Sequence, residues 1–502
     1  MNHQAIRQRR PRLPNLVLLL LGCSLAVADD AVPPDPPPPS AIVVTNQSGP
    51  PPKSGPERLE KEIRIVVATN QPAATGGKTN AAPKDKSFQW NFSWRGWDGL
   101  HMEAVQQTHL QTPTPVWRML GVQTNAMPIL HLEQVKLSGN FGARVEVDGA
   151  AFATTGDLTG FDNGVELRRL LLYARGDCIL LLPFSYYLEL GLNGDRFALN
   201  KSYLRFANLD YIGALQIGQF QPTMGLQIIT SSRDITFMEP AAPLQAIAPG
   251  TEAGLQIGRP VFEERGTWHF GLFAPGAGHL EYGNASENYG SAILRFTALP
   301  LWHAAPADPA ANRYLHLGLS ANILYSANST VRYQSRPESF IAPIVIDTGN
   351  IDANSAATFG GEAAWVNGPL SVQGEFIYSH VNQNTGSELN LYGVYGEASW
   401  YLTGESRPYD PQKGAFQRLV PLHNFDFGRT GWGAWELAAR FSYTDLTDAN
   451  ISGGRLSLLM TGVNWYLHPH VRWMFNYGMG RVSDTAQAGN LFIFQTRIGV
   501  DF

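Results

Sequence analysis

Residues 88–502 alternate between apolar and polar side chains with a period of two, and this pattern limits the possible folds more than any other feature. In residues 435–444 every odd position is apolar or aromatic, whereas Glu436 and Arg440 stand among the even positions. The same alternation occurs in residues 135–148. Segments of about 8–13 residues with this period are typical of β-strands that have one apolar face. The sequence therefore predicts an all-β protein.

Three further features favour a transmembrane antiparallel β-barrel over a soluble β-sandwich or β-helix. The polar faces carry scattered charges, as the wall of a wet lumen does, and the last strand ends at the terminal residue Phe502. Aromatic residues also gather near strand ends, as in the girdles of outer-membrane barrels. These residues are Trp400, Tyr401, Trp465, Tyr466, Trp473 and Tyr477. We therefore expect outer-membrane lipid, and the barrel-assembly machinery that recognises a terminal Phe, to be partners.

The connections between the alternating segments differ in length. Short ones occur at residues 193–195, 367–369 and 468–470, and longer irregular ones at residues 301–313, 333–357 and 404–430. Outer-membrane barrels have short turns at one end and long loops at the other, so we expect these two groups at opposite ends. At about 25 residues per strand and connection, the chain predicts about 16 strands, with 14 or 18 as alternatives. A barrel of that size encloses an aqueous channel.

Composition and motifs exclude several classes of protein. No apolar run beyond the N-terminus reaches the roughly 18–20 residues of a spanning helix, which excludes a helical multi-span protein. A net charge of −5 does not suit a nucleic-acid-binding protein. No hydrolase elbow, zinc-binding helix or phosphate loop is present, so neither an enzyme nor a cofactor is predicted. His468 and His470 lack a third nearby ligand, and a solvated turn is expected there rather than a metal site.

The N-terminus has the pattern of an export signal. Four arginines precede residue 13, an apolar run covers residues 16–21, and Ala26-Val27-Ala28 has the form of a cleavage site. We therefore predict a signal peptide at residues 1–28. Residues 20–23 also resemble a lipoprotein processing box, which would leave a lipidated Cys23 as the alternative.

A proline-rich segment follows the predicted signal peptide. Residues 29–86 are predicted to form a disordered periplasmic linker, with one short charged helix at residues 57–65. The barrel domain is then expected to comprise residues 87–502.

Several segments resemble the phosphate- and polyphosphate-selective porins of the outer membrane. The likeness spans about residues 135–502. It is carried by GQFQPTMGL at 218–226, TSSRDITFME at 230–239, VELRRL at 165–170, GAWELAARFS at 433–442 and GVNWYL at 462–467. This resemblance implies a 16-stranded, homotrimeric porin whose arginines and lysines guide small anions such as phosphate inward.

Two departures from the family pattern and the charge of the barrel leave its selectivity open. The family often has lysine where Gln221 stands, and arginine where Pro240 follows Glu239. Of 42 acidic residues 7 precede residue 87, and of 37 basic residues 11 do, so the barrel carries 35 acidic and 26 basic residues, or −9. The alternatives are therefore a general or cation-preferring porin, or a closed structural or adhesive barrel that its proline-rich segment anchors to the cell wall.

Basic residues on the polar side of the strands are the candidates for guiding anions. Arg144, Arg168, Lys201 and Arg205 have the polar parity of their segments. Arg169 has the opposite parity from Arg168, so only one of the two faces the lumen unless a β-bulge intervenes. The alternative for each of them is an ion pair with an acidic residue of a neighbouring strand, which would stiffen the wall.

The candidate constriction is the stretch from Pro222 to Gly250. Its apolar residues are expected to pack against the inner wall, so that Arg233, Asp234 and Glu239 project into the lumen. At the narrowest point of a channel, fixed charges of this kind replace part of the hydration of an ion. The alternatives are a loop that caps the barrel and a loop that lies at the contact between trimer subunits.

Overall fold

Sixteen of the described strands pair antiparallel in chain order and close into a cylinder. The computed structural model describes residues 61–64, 89–94, 99–107, 134–179, 183–193, 196–274, 289–305, 308, 311–428 and 431–502. Closure comes from the last strand, which pairs with the first strand of the cylinder from Leu491 opposite Thr154 to Asp501 opposite Arg144. The prediction of an outer-membrane-type barrel of about 16 strands is confirmed.

The strands of the cylinder are long, and three strands precede them. The three are β1 (Lys61–Arg64), β2 (Gln89–Trp94) and β3 (Leu100–Gln107). The first half of the cylinder is β4 (Gln134–Thr154), β5 (Gly164–Ile179), β6 (Pro183–Asn193), β7 (Arg196–Leu209), β8 (Gly213–Phe220), β9 (Glu252–Val261), β10 (Gly266–Ala274) and β11 (Tyr289–His303). The second half is β12 (Arg313–Val331), β15 (Ile351–Asn367), β16 (Leu370–Gln383), β17 (Leu389–Tyr401), β20 (Ala434–Asp448), β21 (Ile451–His468), β22 (Val471–Ser483) and β23 (Gly489–Asp501).

The remaining elements are short and belong to connections. They are α1 (Leu226–Ile229), α2 (Ala242–Ile247), β13 (Gln334–Ser335), β14 (Ile346–Asp347), β18 (Tyr409–Asp410) and β19 (Ala415–Phe416). No helix in the described part of the chain has the length and apolarity to cross a membrane.

Strands β1 to β3 extend the sheet beyond the cylinder. β3 pairs with the first half of β4, from Leu100 opposite Phe141 to Gln107 opposite Gln134. Because β23 pairs with the second half of β4, β3 follows β23 along the same edge. The predicted helix at residues 57–65 is wrong for residues 61–64, the part that the structure describes. These residues form strand β1, which pairs with β2. The predicted signal peptide and the rest of the proline-rich segment lie outside the described residues.

The two faces of the cylinder differ as the alternation predicts. In β17 Tyr392, Val394 and Trp400 are exposed on the outer face, whereas Tyr395 and Glu397 are buried inside. Valine, leucine and phenylalanine dominate the exposed large side chains of the other strands. An apolar outer face suits contact with lipid. Closure of the ladder also lets the backbone groups of the strands pair with one another within the hydrocarbon.

The aromatic girdle is present in part. Trp435, Trp465 and Trp473 lie on neighbouring strands near the end that holds the C-terminus, and the ring of Trp465 lies 5.0 Å from Trp435 and 6.4 Å from Trp473. Tyr401 and Tyr466 do not belong to this girdle. They point inward and pack together, because each has the opposite parity from the neighbouring tryptophan.

The prediction that short and long connections lie at opposite ends of the barrel is wrong. Strand directions put residues 402–433 at the same end as the turns at residues 368–369 and 469–470. The two-residue turn at residues 449–450 lies at the other end, together with the long connection at residues 332–350. Length therefore does not separate the two ends, because long segments enter the lumen from both.

Candidate functional site

The connection from β8 to β9, residues 221–251, folds into the barrel rather than across its mouth, and we call it the inner loop. The carboxylate of Glu375 on β16 accepts hydrogen bonds from the backbone N–H groups of Leu226 and Gln227, each 2.8 Å long. The apolar side chains of the inner loop pack against the wall and are almost completely buried. Among them are Met224, Leu226, Ile235, Phe237 and Met238. Burial of these side chains stabilises the inner position of the loop.

Three arginines of the last strands hold the backbone of the inner loop. Arg472 of β22 donates to the carbonyl groups of Arg233, Ile235 and Thr236 at distances of 2.7–3.2 Å. Arg440 of β20 donates to the carbonyl of Glu239 at 3.1 Å, and Arg497 of β23 donates to that of Met238. These three guanidinium groups bind the carbonyls of the loop and do not face open solvent.

Glu239 anchors the inner loop to the wall and does not project into open space. Its carboxylate accepts hydrogen bonds from Arg168 Nε at 2.8 Å and from Arg497 Nη2 at 2.6 Å. Burial alone would raise the pKa of Glu239, but the guanidinium groups of Arg497 and Arg168 outweigh it and hold the pKa well below its ordinary value. Glu239 therefore remains ionised as part of a buried cluster.

Arg233 and Asp234 lie nearer to the open part of the lumen. Arg233 donates to Asp501 at 2.9 Å, and about a third of its side chain is exposed. Burial raises the pKa of Asp234 above its ordinary value, despite the guanidinium groups of Arg233 and Arg418 nearby. Both residues border a small cavity beneath the inner loop.

Two other connections fill much of the remaining lumen. Residues 332–350 enter from one end, and the buried carboxylate of Glu338 pairs with Arg440 and accepts a hydrogen bond from Ser442 at 2.7 Å. Residues 405–419, part of the connection from β17 to β20, enter from the end that holds the C-terminus. There Arg407 donates to Gln373 at 2.6 Å. The half of the barrel that comprises β12 to β23 is therefore packed with protein.

The open space lies along the opposite wall, between β4–β8 and the inner loop. It is a cavity of about 1190 Å³, and Ser185 and Leu192, near the two ends of β6, both line it. Seven residues of strand separate them, which corresponds to about 23 Å at the rise of an antiparallel strand. The cavity thus extends along most of this wall.

The lining of this cavity is strongly basic. Among the described residues that line it, eight are arginine or lysine, and two, Asp177 and Glu189, are acidic. The basic ones are Arg144, Arg168, Arg169, Arg175, Lys201, Arg205, Arg233 and Lys413. All five predicted anion-guiding residues are among them. The formal charge of the lining is therefore opposite in sign to that of the barrel as a whole.

A β-bulge explains why Arg168 and Arg169 both face the cavity. In the register between β4 and β5, Glu146 lies opposite Arg169 but Val147 lies opposite Leu167, so Arg168 is the extra residue. The extra residue shifts the parity of β5, and two successive side chains point to the same side of the sheet.

The predicted anion-guiding residues divide into paired and less paired members. Arg144 and Arg169 share the carboxylate of Glu146, at 2.9 and 2.5 Å, and Arg168 pairs with Glu239 as described above. Lys201 and Arg205 form no ion pair within 4.0 Å with another described residue. Arg175 of β5 also forms no ion pair in the described part of the chain, and Glu189 lies opposite Lys201 in the register of β6 and β7.

Sequence reasoning missed the acidic and basic residues that hold the packed half together. Arg295 pairs with Glu362 at 2.5 Å, and the Nε2–H of His316 donates to the same carboxylate at 3.1 Å. Tyr395 donates to Glu375 at 2.6 Å. Their polar parity alone does not distinguish them from cavity residues, because both kinds point inward.

Comparison with known proteins identifies relatives by sequence. A family profile described as phosphate-selective porin O and P matches residues 135–502. An uncharacterized protein of Caulobacter vibrioides is 27% identical over 333 residues, which cover 64% of this chain and 63% of that protein. Porin O of Pseudomonas aeruginosa is 24% identical over 329 residues, which cover 58% of this chain and 70% of that protein. This chain thus spans less than two thirds of the Caulobacter protein.

Solved structures to which this chain is similar include two bacterial outer-membrane proteins. The trimer form of OmpT of Vibrio cholerae has a TM-score of 0.43 at 11% identity and covers 73% of this chain and 99% of its own. The outer-membrane channel DcaP of Acinetobacter baumannii has a TM-score of 0.40 at 11% identity and covers 73% of this chain and 97% of its own.

Proposed function

Because this chain belongs to the phosphate-selective porin O and P family, we propose that it forms a water-filled channel that conducts small anions, phosphate among them. Membership of this family and the closed barrel with an apolar outer face assign the protein to the outer membrane. The barrel and the family are those of a channel and not of an enzyme.

The observation that carries the proposal is the charge of the cavity lining. Eight basic and two acidic side chains among the described lining residues give the lining a formal charge of +6. Ion pairs of its arginines with Glu146, Glu239 and Asp501 reduce this positive charge but do not cancel it. A cavity with walls of one sign concentrates ions of the opposite sign, so this path favours anions over cations. Lys201 and Arg205, the predicted anion-guiding residues that form no ion pair within 4.0 Å with another described residue, are proposed to contribute most, and Arg144, Arg168 and Arg169 to maintain the positive wall.

The charge of −9 for the whole barrel favours a cation-preferring porin as the second candidate. Much of this negative charge lies outside the cavity, however. Glu338, Glu362 and Glu375 are buried in the packed half, where arginine, histidine, tyrosine and backbone N–H groups bind them. Ions in the cavity are therefore expected to meet the basic wall and not these carboxylates.

Planar-bilayer recording of the purified full-length protein tests the proposal. In a potassium chloride gradient, the reversal potential is expected to have the sign of chloride permeation, and added phosphate is expected to reduce the chloride current. A reversal potential of potassium sign would favour the cation-preferring porin. Absence of conductance from the folded protein would favour the closed structural or adhesive barrel.

We propose, on the basis of the family resemblance, that three chains assemble into a homotrimer. The expected result is a heat-sensitive band of three times the monomer mass on a denaturing gel of unheated protein. A folded band of monomer mass in every mild detergent would contradict the proposal.

The C-terminal residue is proposed to guide assembly of the barrel. The backbone of Phe502 exchanges two hydrogen bonds with Ala143, at 3.0 and 3.1 Å, and thus completes the closing ladder. Deletion of Phe502 is expected to lower the yield of folded protein in the outer membrane, whereas refolding in detergent is expected to be affected less.

A further inference from the structure

Three tyrosines on neighbouring strands line the cavity with nearly parallel rings, and we call them the tyrosine platform. They are Tyr173 of β5, Tyr187 of β6 and Tyr203 of β7. The ring of Tyr187 lies 6.4 Å from that of Tyr173 at an interplanar angle of 9°, and 5.4 Å from that of Tyr203 at 13°. Tyr187 and Tyr203 are directly opposite each other in the register of β6 and β7. The three rings thus form a row across the wall.

The rings pack against one another along the wall, and Tyr187 and Tyr203 form an offset stack. The hydroxyl of Tyr173 reaches over Gly142 of β4 and donates to the carbonyl of Phe502 at 2.6 Å. A Cβ atom at Gly142 would lie 2.4 Å from Cζ of Tyr173, so the ring rests on a backbone that has no side chain there. The tip of the Tyr173 ring therefore contacts the wall. The next two rings are nearly parallel to it, so three aromatic side chains together line this part of the cavity.

Three cations border the platform, together with the carboxylate of Glu189, which accepts a hydrogen bond from Tyr187 at 2.7 Å. Lys201 and Arg205 stand two residues before and two residues after Tyr203, on the same face of β7, and both line the cavity. At the rise of a strand, each is about 7 Å along the chain from the tyrosine. The guanidinium of Arg175 lies 5.8 Å from the ring centre of Tyr173. An apolar planar surface and positive charge are therefore combined within the size of one small molecule.

We propose that the tyrosine platform binds anionic solutes that carry a planar ring, the class represented by phenyl phosphate. The ring of the solute packs against the tyrosine rings, and its anionic group contacts Lys201 or Arg205. Stacking of planar rings adds to the attraction that the basic wall exerts on any anion. Inorganic phosphate has no apolar face and gains nothing from the tyrosines. This inference rests on the proposed anion channel and specifies a solute class for it.

The test compares phosphate monoesters of equal charge in the bilayer assay. Phenyl phosphate, methyl phosphate and glucose 6-phosphate are each titrated against the chloride current of the full-length protein. Phenyl phosphate is expected to reach half-block at a concentration about 3- to 10-fold lower than methyl phosphate, the size of an aromatic pair interaction. Equal half-block by phenyl and methyl phosphate would overturn the proposal. Half-block by glucose 6-phosphate at the concentration of phenyl phosphate would also overturn the requirement for a planar ring.

Variants of one platform residue assign the effect to the rings. Tyr203→Phe keeps the ring and is expected to retain the advantage of phenyl phosphate, whereas Tyr203→Leu is expected to lose most of it. Tyr392→Leu changes a tyrosine on the outer face and serves as the matched control, with wild-type block expected. An unchanged advantage in Tyr203→Leu would contradict the platform. If Tyr203→Leu does not fold, the solute series on the wild-type protein and on Tyr203→Phe still decides.

The reversal potential measured in the same bilayers separates this inference from the proposed function. An anion-selective channel that both esters block equally refutes the platform and leaves the proposed function intact. A cation-selective channel refutes both.

Discussion

Replacement of Glu239 by glutamine is expected to loosen the inner loop without unfolding the barrel. The side chains of Glu239, Arg168 and Arg497 are 8%, 14% and 2% exposed, so the cluster is buried. Removal of one charged partner from a buried ion pair costs about 3–5 kcal/mol. The amide oxygen of glutamine still accepts one hydrogen bond, so we expect a value near the lower limit. About 3 kcal/mol corresponds to roughly a 10²-fold increase in local opening.

Thiol labelling of Met238 measures this opening. Met238 is 1% exposed and its carbonyl is bound by Arg497, so a cysteine there reacts only when this part of the loop leaves the wall. The chain has two cysteines, Cys23 and Cys178, so Met238→Cys is made in a background in which both are serine. It is labelled in bilayer vesicles with a small charged reagent, with and without Glu239→Gln. Where closing is faster than labelling, the rate is proportional to the opening constant. The labelling rate is expected to increase about 10²-fold in Glu239→Gln, because the variant loses about 3 kcal/mol of the free energy that holds the loop closed.

A matched control uses an ion pair that is exposed to solvent. Arg332 and Asp347 pair outside the core of the barrel, with 48% and 28% of their side chains exposed. Asp347→Asn is expected to leave the labelling rate of Met238→Cys nearly unchanged, because water screens exposed pairs. Equal rates in Glu239→Gln and its parent would refute the view that this cluster anchors the loop.

The dependence on pH gives the same cluster a second test. The pKa of Glu239 is depressed in the folded protein, so its ion pairs contribute fully at pH values above the ordinary carboxyl range. Their contribution is lost only as the pH falls through the depressed value. The ratio of the labelling rates of Glu239→Gln and its parent is therefore expected to stay constant between pH 7 and pH 5. A ratio that falls toward one at pH 5 would show that Glu239 is already neutral there.

Other predictions concern selectivity and packing. Lys201→Gln and Arg205→Gln each remove one positive charge from the cavity wall. The reversal potential in a salt gradient is expected to move toward the equilibrium potential of potassium in each variant, and further in the double variant. An unchanged reversal potential in the double variant would contradict the proposed role of these residues. Gly142→Ala is expected to prevent closure of the barrel, because its Cβ would lie 2.0 Å from the carbonyl oxygen of Phe502. Gly396→Ala is the control, because no atom lies within 4 Å of its Cβ. A similar folded fraction of Gly142→Ala and Gly396→Ala on an unheated denaturing gel would show that the close approach at Gly142 does not limit closure.

The fold was largely predictable from sequence. The alternation in residues 435–444 assigned Glu436 and Arg440 to the inside of the barrel, and both are buried there. This works because lipid accepts only apolar side chains on the outer face, whereas the inner face is free to carry charge. The rule failed for Tyr401 and Tyr466, which the girdle argument assigned to the outside, because proximity to a strand end does not determine parity.

The candidate site was predictable only in part. The sequence predicted that only one of Arg168 and Arg169 faces the lumen unless a β-bulge intervenes. The bulge that turns both toward the cavity appears only in the register of β4 and β5. Glu239 was expected to face the lumen, and it is instead bound by two arginines from strands 71 and 258 residues away in the chain. A pattern of local periodicity contains no information about such distant partners.

Sequence alone predicted a closed cylinder of about 16 strands, with 14 or 18 as alternatives. It also predicted the apolar outside, because closure and an apolar outer face follow from the period of a strand and the chemistry of the bilayer. The charge of the open path required the folded chain. Three connections enter the lumen and bury many carboxylates against arginines on one side, and the space that they leave borders the basic wall of β4–β8. Net charge is a sum over residues, whereas the field that an ion meets depends on which of those residues the packing leaves uncovered.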